Sequence, residues 1–159
     1  MTTLYLDMDG VVADFNEYAH RTLGVPASQG IYPDDVWQKL AAHPRIYRDL
    51  IPITYAGELV ATCFNFAQRK QYGFMFLTAV PKGNDVPWAF YDKVEWARKY
   101  FPNIPVMFGP FSKDKHQHCQ PGDILIDDRS SNIEEWRAAG GIAIHHVDFD
   151  TTITVLNSL

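Results

Sequence analysis

The sequence predicts an α/β fold: a doubly wound, Rossmann-like parallel sheet of five strands in the order 3-2-1-4-5. Short apolar segments alternate along the chain with amphipathic segments of helical period, which is typical of βαβ units. The apolar segments lack a strict two-residue alternation, as expected of strands covered by helices on both faces. The length of 159 residues suits a single domain.

The predicted strands are short apolar runs, and several of them lead directly into polar residues. The first covers 4–7 and ends on Asp7, the second covers 74–77 and leads to Thr78, and the fourth covers 123–126 and leads to Asp127 and Asp128. The third and fifth cover 105–108 and 142–144. Since ligands of such folds bind beyond the carboxyl ends of the strands, these polar residues are expected to share one crevice.

Six segments are predicted to be helices. Asp14 is expected to cap the first, and Gly73 is expected to end the third. The apolar spacing of the fourth predicts a buried face that includes Phe90 and Val94. The predicted helices cover 14–23, 35–42, 54–72, 88–101, 132–139 and 151–159.

Two segments are predicted to lie outside this pattern. The stretch 27–52 is irregular and interrupted by prolines, and we interpret it as an inserted cap, with one short helix, rather than as part of the sheet. The segment 81–87 is expected to be a loop.

Charge and composition exclude several classes of function. A net charge of −5 and a pI of about 5.6 argue against binding to duplex nucleic acid, which usually requires a basic face. Two cysteines give no disulfide framework and suit a reducing compartment. We find no signal peptide and no apolar run long enough for a membrane span, so we expect a cytoplasmic protein. The oligomeric state is left open.

The motif Asp7-Met8-Asp9-Gly10 follows the first strand and is the first candidate for chemistry. Two acids one residue apart would both point into the crevice, and Gly10 permits the sharp turn that keeps it open. The alternative is an ordinary acidic turn, in which Asp and Gly are common.

Asp127 and Asp128 are the second candidate. Adjacent carboxylates at the end of a buried strand repel each other unless a cation or a donor compensates. The alternative is that Asp128 caps the next helix and Asp127 begins a turn. Together with Asp7 and Asp9 they form an oxygen-rich site that suits Mg²⁺.

Ordered motifs along nearly the whole chain resemble the haloacid dehalogenase-like phosphohydrolases, and among them the 5′(3′)-deoxyribonucleotidases. The superfamily resemblance is carried by Asp7 and Asp9, Thr78, a following lysine, and the Asp127-Asp128 pair. The narrower resemblance is carried by the segments 7–15, 47–53, 91–96, 99–101, 112–115 and 123–129.

The resemblance implies a role for each matching residue. Asp7 would be the nucleophile that attacks phosphorus, and Asp9 would be the general acid and then the base. Mg²⁺ would be held by Asp7, the carbonyl of Asp9 and Asp127, with Asp128 acting nearby. Thr78 and Lys115 would bind phosphate oxygens.

This sequence departs from the resemblance at three places. Ala79 and Val80 follow Thr78, where the deoxyribonucleotidases typically have a serine and then proline, so one hydroxyl ligand is missing. The interval from Lys115 to Asp127 is longer than expected, which makes Lys113 a rival for the phosphate lysine. The resemblance places a small, mainly helical cap at 15–52, inserted after the first strand, and this cap is shorter than the family's, which suggests a more open site.

Aromatic and basic residues of the cap are candidates for substrate recognition. Phe15 and Trp37, with Tyr32 and Tyr47, are available to stack on a base, and the alternative is that they pack the cap against the core. Arg45 and Arg48 are candidates for a phosphate or sugar contact, and the alternative is surface solvation.

The residues and the resemblance together predict a magnesium-dependent phosphatase that hydrolyses nucleoside monophosphates, deoxynucleotides first, through an aspartyl-phosphate. One alternative is a phosphatase of nucleic acid ends or of other small phosphate esters. Another is a non-catalytic relative that binds a nucleotide or a protein. The base, the sugar and the choice of 5′ or 3′ phosphate are left open.

Overall fold

A computed structural model describes residues 1–25, 32–43, 45–81, 86 and 88–159. Five strands form one sheet in the predicted order β3-β2-β1-β4-β5, and every adjacent pair is parallel. The strands are β1 Thr3–Leu6, β2 Gly73–Thr78, β3 Val106–Phe108, β4 Ile124–Asp127 and β5 Ile142–His145. The predicted α/β Rossmann-like fold is therefore confirmed.

The central strand β1 sets the register of the sheet. Leu6 of β1 lies opposite Phe76 of β2 on one side and Ile126 of β4 on the other. The next residue, Asp7, donates its backbone N–H to the carbonyl of Ile126 at 2.9 Å. Because the strands are parallel and in this register, the acidic ends of β1 and β4 lie at the same edge of the sheet.

Helices cover the sheet on both faces. Asp14 accepts a hydrogen bond from the backbone of Glu17 and caps the first helix, as predicted. The helices are α1 Phe15–Leu23, α2 Asp34–Ala41, α3 Ile46–Asp49, α4 Ala56–Lys70, α5 Ala89–Tyr100, α6 Ser130–Ala138 and α7 Phe149–Asn157, and a 3₁₀ helix covers Ser112–His118.

Within the described ranges, the buried apolar residues form two clusters. The larger contains the inward side chains of β1, α4 and α5 together with residues of the segment 15–52. The smaller is centred on Trp136 of α6, which is fully buried and meets the ring of Tyr5 edge-on at 5.3 Å. Apolar packing on both faces explains why the strands show no polar alternation.

Two local predictions are wrong for physical reasons. Gly73 does not end α4, because it is the first residue of β2, and Gln71 in the left-handed conformation (φ 59°) terminates the helix instead. Helix α5 does not bury Phe90, which is 49% exposed, but buries Lys93. Trp96 accounts for this rotation, because its ring is buried and its indole N–H donates to the carbonyl of Leu50 at 2.9 Å.

The segment 15–52 contains α1, α2 and α3 and joins the core mainly through α5. Arg45 bonds Asp92 at 2.5 Å and Glu95 at 2.8 Å, so the start of α3 is fastened to α5. The short helix α3 was not predicted from the sequence. Residues 26–31, 44, 82–85 and 87, which include parts of the predicted cap and of the predicted 81–87 loop, lie outside the described residues. Among the described helices, none combines the length and apolar character of a membrane span.

Candidate active site

A cavity of about 430 Å³ lies at the carboxyl ends of β1 and β4. Its wall includes acids and lysines of the core together with aromatic residues of the segment 15–52. Asp7, Asp9 and Asp128 line it, as do Lys113 and Lys115. The predicted crevice is therefore formed for these three acids, whereas Thr78 and Asp127 are fully buried and are not among the described residues of its wall.

The turn after β1 brings Asp9 back towards this cavity. Gly10 adopts a left-handed φ of 78°, which glycine tolerates without strain. A Cβ atom at this position would lie 2.2 Å from Oδ2 of Asp128, so any other residue would push that carboxylate away. Gly10 thus lets the two acidic segments approach each other closely.

Three carboxylates form a compact cluster. Oxygen atoms of Asp7, Asp127 and Asp128 all lie within 4.8 Å of one another. Lys115 bridges two of them, with Nζ 2.6 Å from Oδ1 of Asp7 and 2.7 Å from Oδ2 of Asp127. The structure therefore brings the two predicted acidic motifs and the favoured lysine together.

Asp127 is held from several directions. Its Oδ2 also accepts a hydrogen bond from Nδ2 of Asn132 at 2.9 Å, and its Oδ1 accepts one from the backbone of Arg129 at 2.9 Å. Asn132 in turn accepts from Ser112 at 2.9 Å and lines the cavity. Asn132 was missed by sequence reasoning, although its place in the first turn of the helix after Asp127 was a usable signal.

Burial raises the pKa values of two of the acids. The pKa of Asp7 is raised to about 7, first by burial and then by the charge of Asp127. The pKa of Asp128 is raised to about 8, first by burial and then by the charge of Asp7. Burial alone would lower the pKa of Lys115, but the charges of Asp127 and Asp7 outweigh it and raise that pKa. The site thus concentrates negative charge beyond what its lysine neutralises.

Asp9 makes a different contact from the other acids. Its Oδ2 accepts a hydrogen bond from Nζ of Lys93, a buried lysine of α5. Lys93 also donates to Oγ1 of Thr78 at 3.0 Å. Sequence reasoning missed Lys93, although a lysine spaced three and four residues from Trp96 and Ala97 marks a cation on a buried helical face.

The donor set fits a divalent cation. The site contains four carboxylates, those of Asp7, Asp9, Asp127 and Asp128, and two ammonium groups. Lys115 pairs with Asp7 and Asp127, Lys93 pairs with Asp9, and Asp128 belongs to the compact cluster. When all are ionised, two negative charges are left over, and a divalent cation balances that number. Carboxylate oxygens are the hard ligands that Mg²⁺ prefers.

Aromatic side chains of the segment 15–52 also line the cavity. Phe15 stacks on Tyr47 with ring centroids 5.8 Å apart, and it also contacts Tyr32 and Trp37. The hydroxyl of Tyr32 donates to Oδ1 of Asn16 at 2.6 Å. Phe15, Tyr32 and Tyr47 are buried and Trp37 is half-buried, so packing and cavity lining coexist in these residues.

The structure places the remaining predicted residues as follows. Thr78 is fully buried at the end of β2, and Ala79 next to it lines the cavity. Arg45 is engaged by Asp92 and Glu95 on α5 and is not among the described residues of the cavity wall. The structure thus gives Arg45 a contact between the segment 15–52 and α5.

Comparison with known proteins identifies the family. The family model for the 5′ nucleotidase, deoxy (pyrimidine), cytosolic type C protein matches residues 1–153. The chain belongs to this family. It is accordingly a haloacid dehalogenase-like hydrolase of the phosphatase and nucleotidase class, as the motifs predicted.

Solved structures agree on the fold. A hydrolase from Streptococcus pneumoniae TIGR4 has a TM-score of 0.52 at 16% identity, covering 98% of this chain and 97% of its own. A HAD family enzyme from Bacteroides thetaiotaomicron, solved as a magnesium complex, has a TM-score of 0.48 at 14% identity, covering 92% and 93%. The first likeness supports the fold alone, and the second is too weak for further use. No curated protein sequence matched the chain.

Proposed function

We propose that this enzyme is a magnesium-dependent phosphatase that hydrolyses nucleoside monophosphates, deoxynucleotides first, through an aspartyl-phosphate on Asp7. The observation that carries the proposal is the convergence of Asp7, Asp127 and Asp128 within 4.8 Å, bridged by Lys115, in a cavity with an aromatic wall. The acids and the lysine suit a phosphate, and the aromatic wall suits a base.

The reaction takes place in two steps. The Asp7 carboxylate forms a bond to phosphorus while the bond to the nucleoside oxygen breaks, and Asp9 gives that oxygen a proton. Water then forms a bond to phosphorus, the bond to Asp7 breaks, and Asp9 takes a proton from the water. Asp9 is suitably placed, because it lines the same cavity as Asp7.

Cations allow a carboxylate to approach a phosphate dianion. Lys115 is buried beside Asp7, and we propose that it binds the phosphate oxygens together with Thr78. Lys113 lines the cavity and is given no role in this proposal. Mg²⁺ would be held by Asp7, Asp127 and the carbonyl of Asp9, with Asp128 beside them, and it would offset charge on the transferred phosphoryl group.

The base is assigned to the aromatic wall. We propose that 15–52 is the cap and that Phe15 and Trp37 face the base, with Tyr32 and Tyr47 supporting them. Stacking of a base on an aromatic side chain contributes ~1–3 kcal/mol. Arg45 is engaged by α5, so we assign it to holding the cap rather than to binding substrate. Two free thiols support a cytoplasmic location.

Phosphate release tests the proposal. The purified protein is assayed with 5′- and 3′-monophosphates of the four deoxynucleosides and the four ribonucleosides, in Mg²⁺ and in EDTA. We expect turnover only with Mg²⁺ and fastest with a deoxynucleotide. Asp7→Asn removes the nucleophile and is expected to lower kcat by ~10³-fold or more. Asp35→Asn, at an exposed position of α2, is expected to retain the wild-type kcat.

Each outcome bears on one part of the proposal. Full activity of Asp7→Asn would show that no phosphoryl group is carried by Asp7. Equal activity in EDTA would remove magnesium from the proposal. Turnover of p-nitrophenyl phosphate without turnover of any nucleotide would retain the phosphatase and reject the nucleotide as substrate.

A further inference from the structure

Lys93 is a buried cation that the proposed reaction does not yet use. It lies on α5 and is 1% exposed. A lysine is almost never fully buried unless its charge is paired, because removing an ammonium group from water is costly. The partners of this ammonium group therefore indicate why the chain retains it.

Three elements supply those partners. Nζ donates to Oδ2 of Asp9, which follows β1, and to Oγ1 of Thr78 at the end of β2. It also lies 4.2 Å from the ring centroid of Tyr47 in α3, in a cation–π contact. An ammonium group has three donors, so two hydrogen bonds and one aromatic face account for its surroundings.

The contact with Asp9 divides the roles of its two oxygens. Oδ2 is engaged by Lys93, whereas Oδ1 accepts no hydrogen bond from the residues that the structure describes. Asp9 lines the cavity, and Lys93 lies behind it and is not part of the described wall. Anchoring one oxygen from behind fixes the direction of the other.

The contact with Thr78 has a similar effect. A hydroxyl group has one hydrogen to donate and two lone pairs that accept. Since Oγ1 of Thr78 accepts from Lys93, its hydrogen is available for another acceptor.

We propose that Lys93 is a positioning residue that fixes Asp9 for proton transfer, while its contact with Thr78 anchors the ammonium group. The inference rests on the proposed function, because it assigns Lys93 to the same reaction. Lys93 acts through Asp9, which protonates the leaving nucleoside oxygen as the bond between that oxygen and phosphorus breaks. Lys115 differs, because it borders the cavity itself and pairs with Asp7.

Two kinetic signatures separate positioning from a general structural role. In Lys93→Met, kcat for a nucleoside monophosphate is expected to fall ~10²-fold while KM changes less than about threefold, because misplacement of a catalytic group costs rate rather than binding. The loss in kcat/KM is expected to be below about tenfold for p-nitrophenyl phosphate, whose leaving group needs no proton. A merely destabilised enzyme would lose activity on both substrates alike.

Matched variants complete the experiment. Lys99→Met removes an exposed lysine from the same helix and is expected to leave both substrates unaffected. Lys93→Arg keeps the charge and is expected to retain at least fivefold more kcat than Lys93→Met. Folding is checked by circular dichroism and thermal melting, and Lys93→Gln replaces the methionine variant under the same criteria if that variant does not fold.

The outcomes distinguish the two proposals. No turnover of any substrate by the wild-type protein would reject the proposed function, and this inference with it. Wild-type turnover with an unchanged kcat in Lys93→Met, or equal losses on the two substrates, would overturn the role of Lys93 alone. A raised KM with unchanged kcat would also overturn it, because it would make Lys93 a binding residue.

Discussion

The raised pKa of Asp7 predicts how the stability of the metal-free protein depends on pH. Burial, followed by the charge of Asp127, raises this pKa from its ordinary 3.8 to about 7. Between these values the folded chain binds a proton that the unfolded chain has released, so the free energy of unfolding falls as pH rises. The shift corresponds to about 4 kcal/mol, of which about 3 kcal/mol is lost between pH 5 and 8.

Urea unfolding in EDTA, followed by tryptophan fluorescence, measures this loss. Asn has no proton to release, so its free energy of unfolding does not carry this loss. Between pH 5 and 8 the free energy of unfolding of Asp7→Asn is therefore expected to rise by about 3 kcal/mol relative to that of the wild type. The proton is shared with Asp128, so the measured slope belongs to the pair. Asp35→Asn, at an exposed position, is expected to parallel the wild type.

Magnesium should act in the opposite direction. A cation bound by the carboxylates removes the cost of ionising them, so Mg²⁺ is expected to stabilise the wild type more at pH 8 than at pH 5. A constant difference between wild type and Asp7→Asn across this range would refute the reasoning, because it would mean that the buried carboxyl group stays ionised throughout.

Two further predictions concern the frame around the site. Arg45→Ala leaves the fully buried Asp92 without its counter-ion and is expected to lower Tm by roughly 5 °C or more. Arg48→Ala removes an exposed ion pair and should leave Tm nearly unchanged. Equal shifts in Tm would show that the pair of Arg45 with Asp92 is unimportant for stability. Burial raises the pKa of Cys63 to about 12, so iodoacetamide is expected to label only the half-buried Cys119 in the folded chain. Mass spectrometry measures this labelling, and rapid modification of both cysteines would contradict the expectation.

The fold and the acids were predictable because their signals are local. Asp7 and Asp127 each follow a short apolar strand, and parallel strands bring their carboxyl ends to one edge whatever the details of packing. Asp14 likewise indicated the start of α1, because an aspartate side chain can cap the N-terminus of a helix. These inferences needed only the order of elements along the chain.

The missed features depend on how elements pack together. The sequence of α5 offers two possible inward faces, one with Phe90 and one with Lys93. Burial of Trp96 and the contacts of Lys93 with Asp9 and Thr78 favour the charged face. The role of Arg45 likewise depends on Asp92, which lies far from it along the chain. Such choices are decided by tertiary contacts that periodicity does not describe.

Asp92 and Lys93 are consecutive residues that connect α5 to two different parts of the molecule. Asp92 holds Arg45 at the start of α3, and Lys93 holds Asp9 beside the cavity. A displacement of α3 would leave the buried carboxylate of Asp92 without its counter-ion, and it would disturb the backbone of α5 that holds Lys93 beside Asp9. The stretch from Arg45 to Leu50 is therefore linked through α5 to the position of Asp9 beside the cavity, although the two lie far apart along the chain.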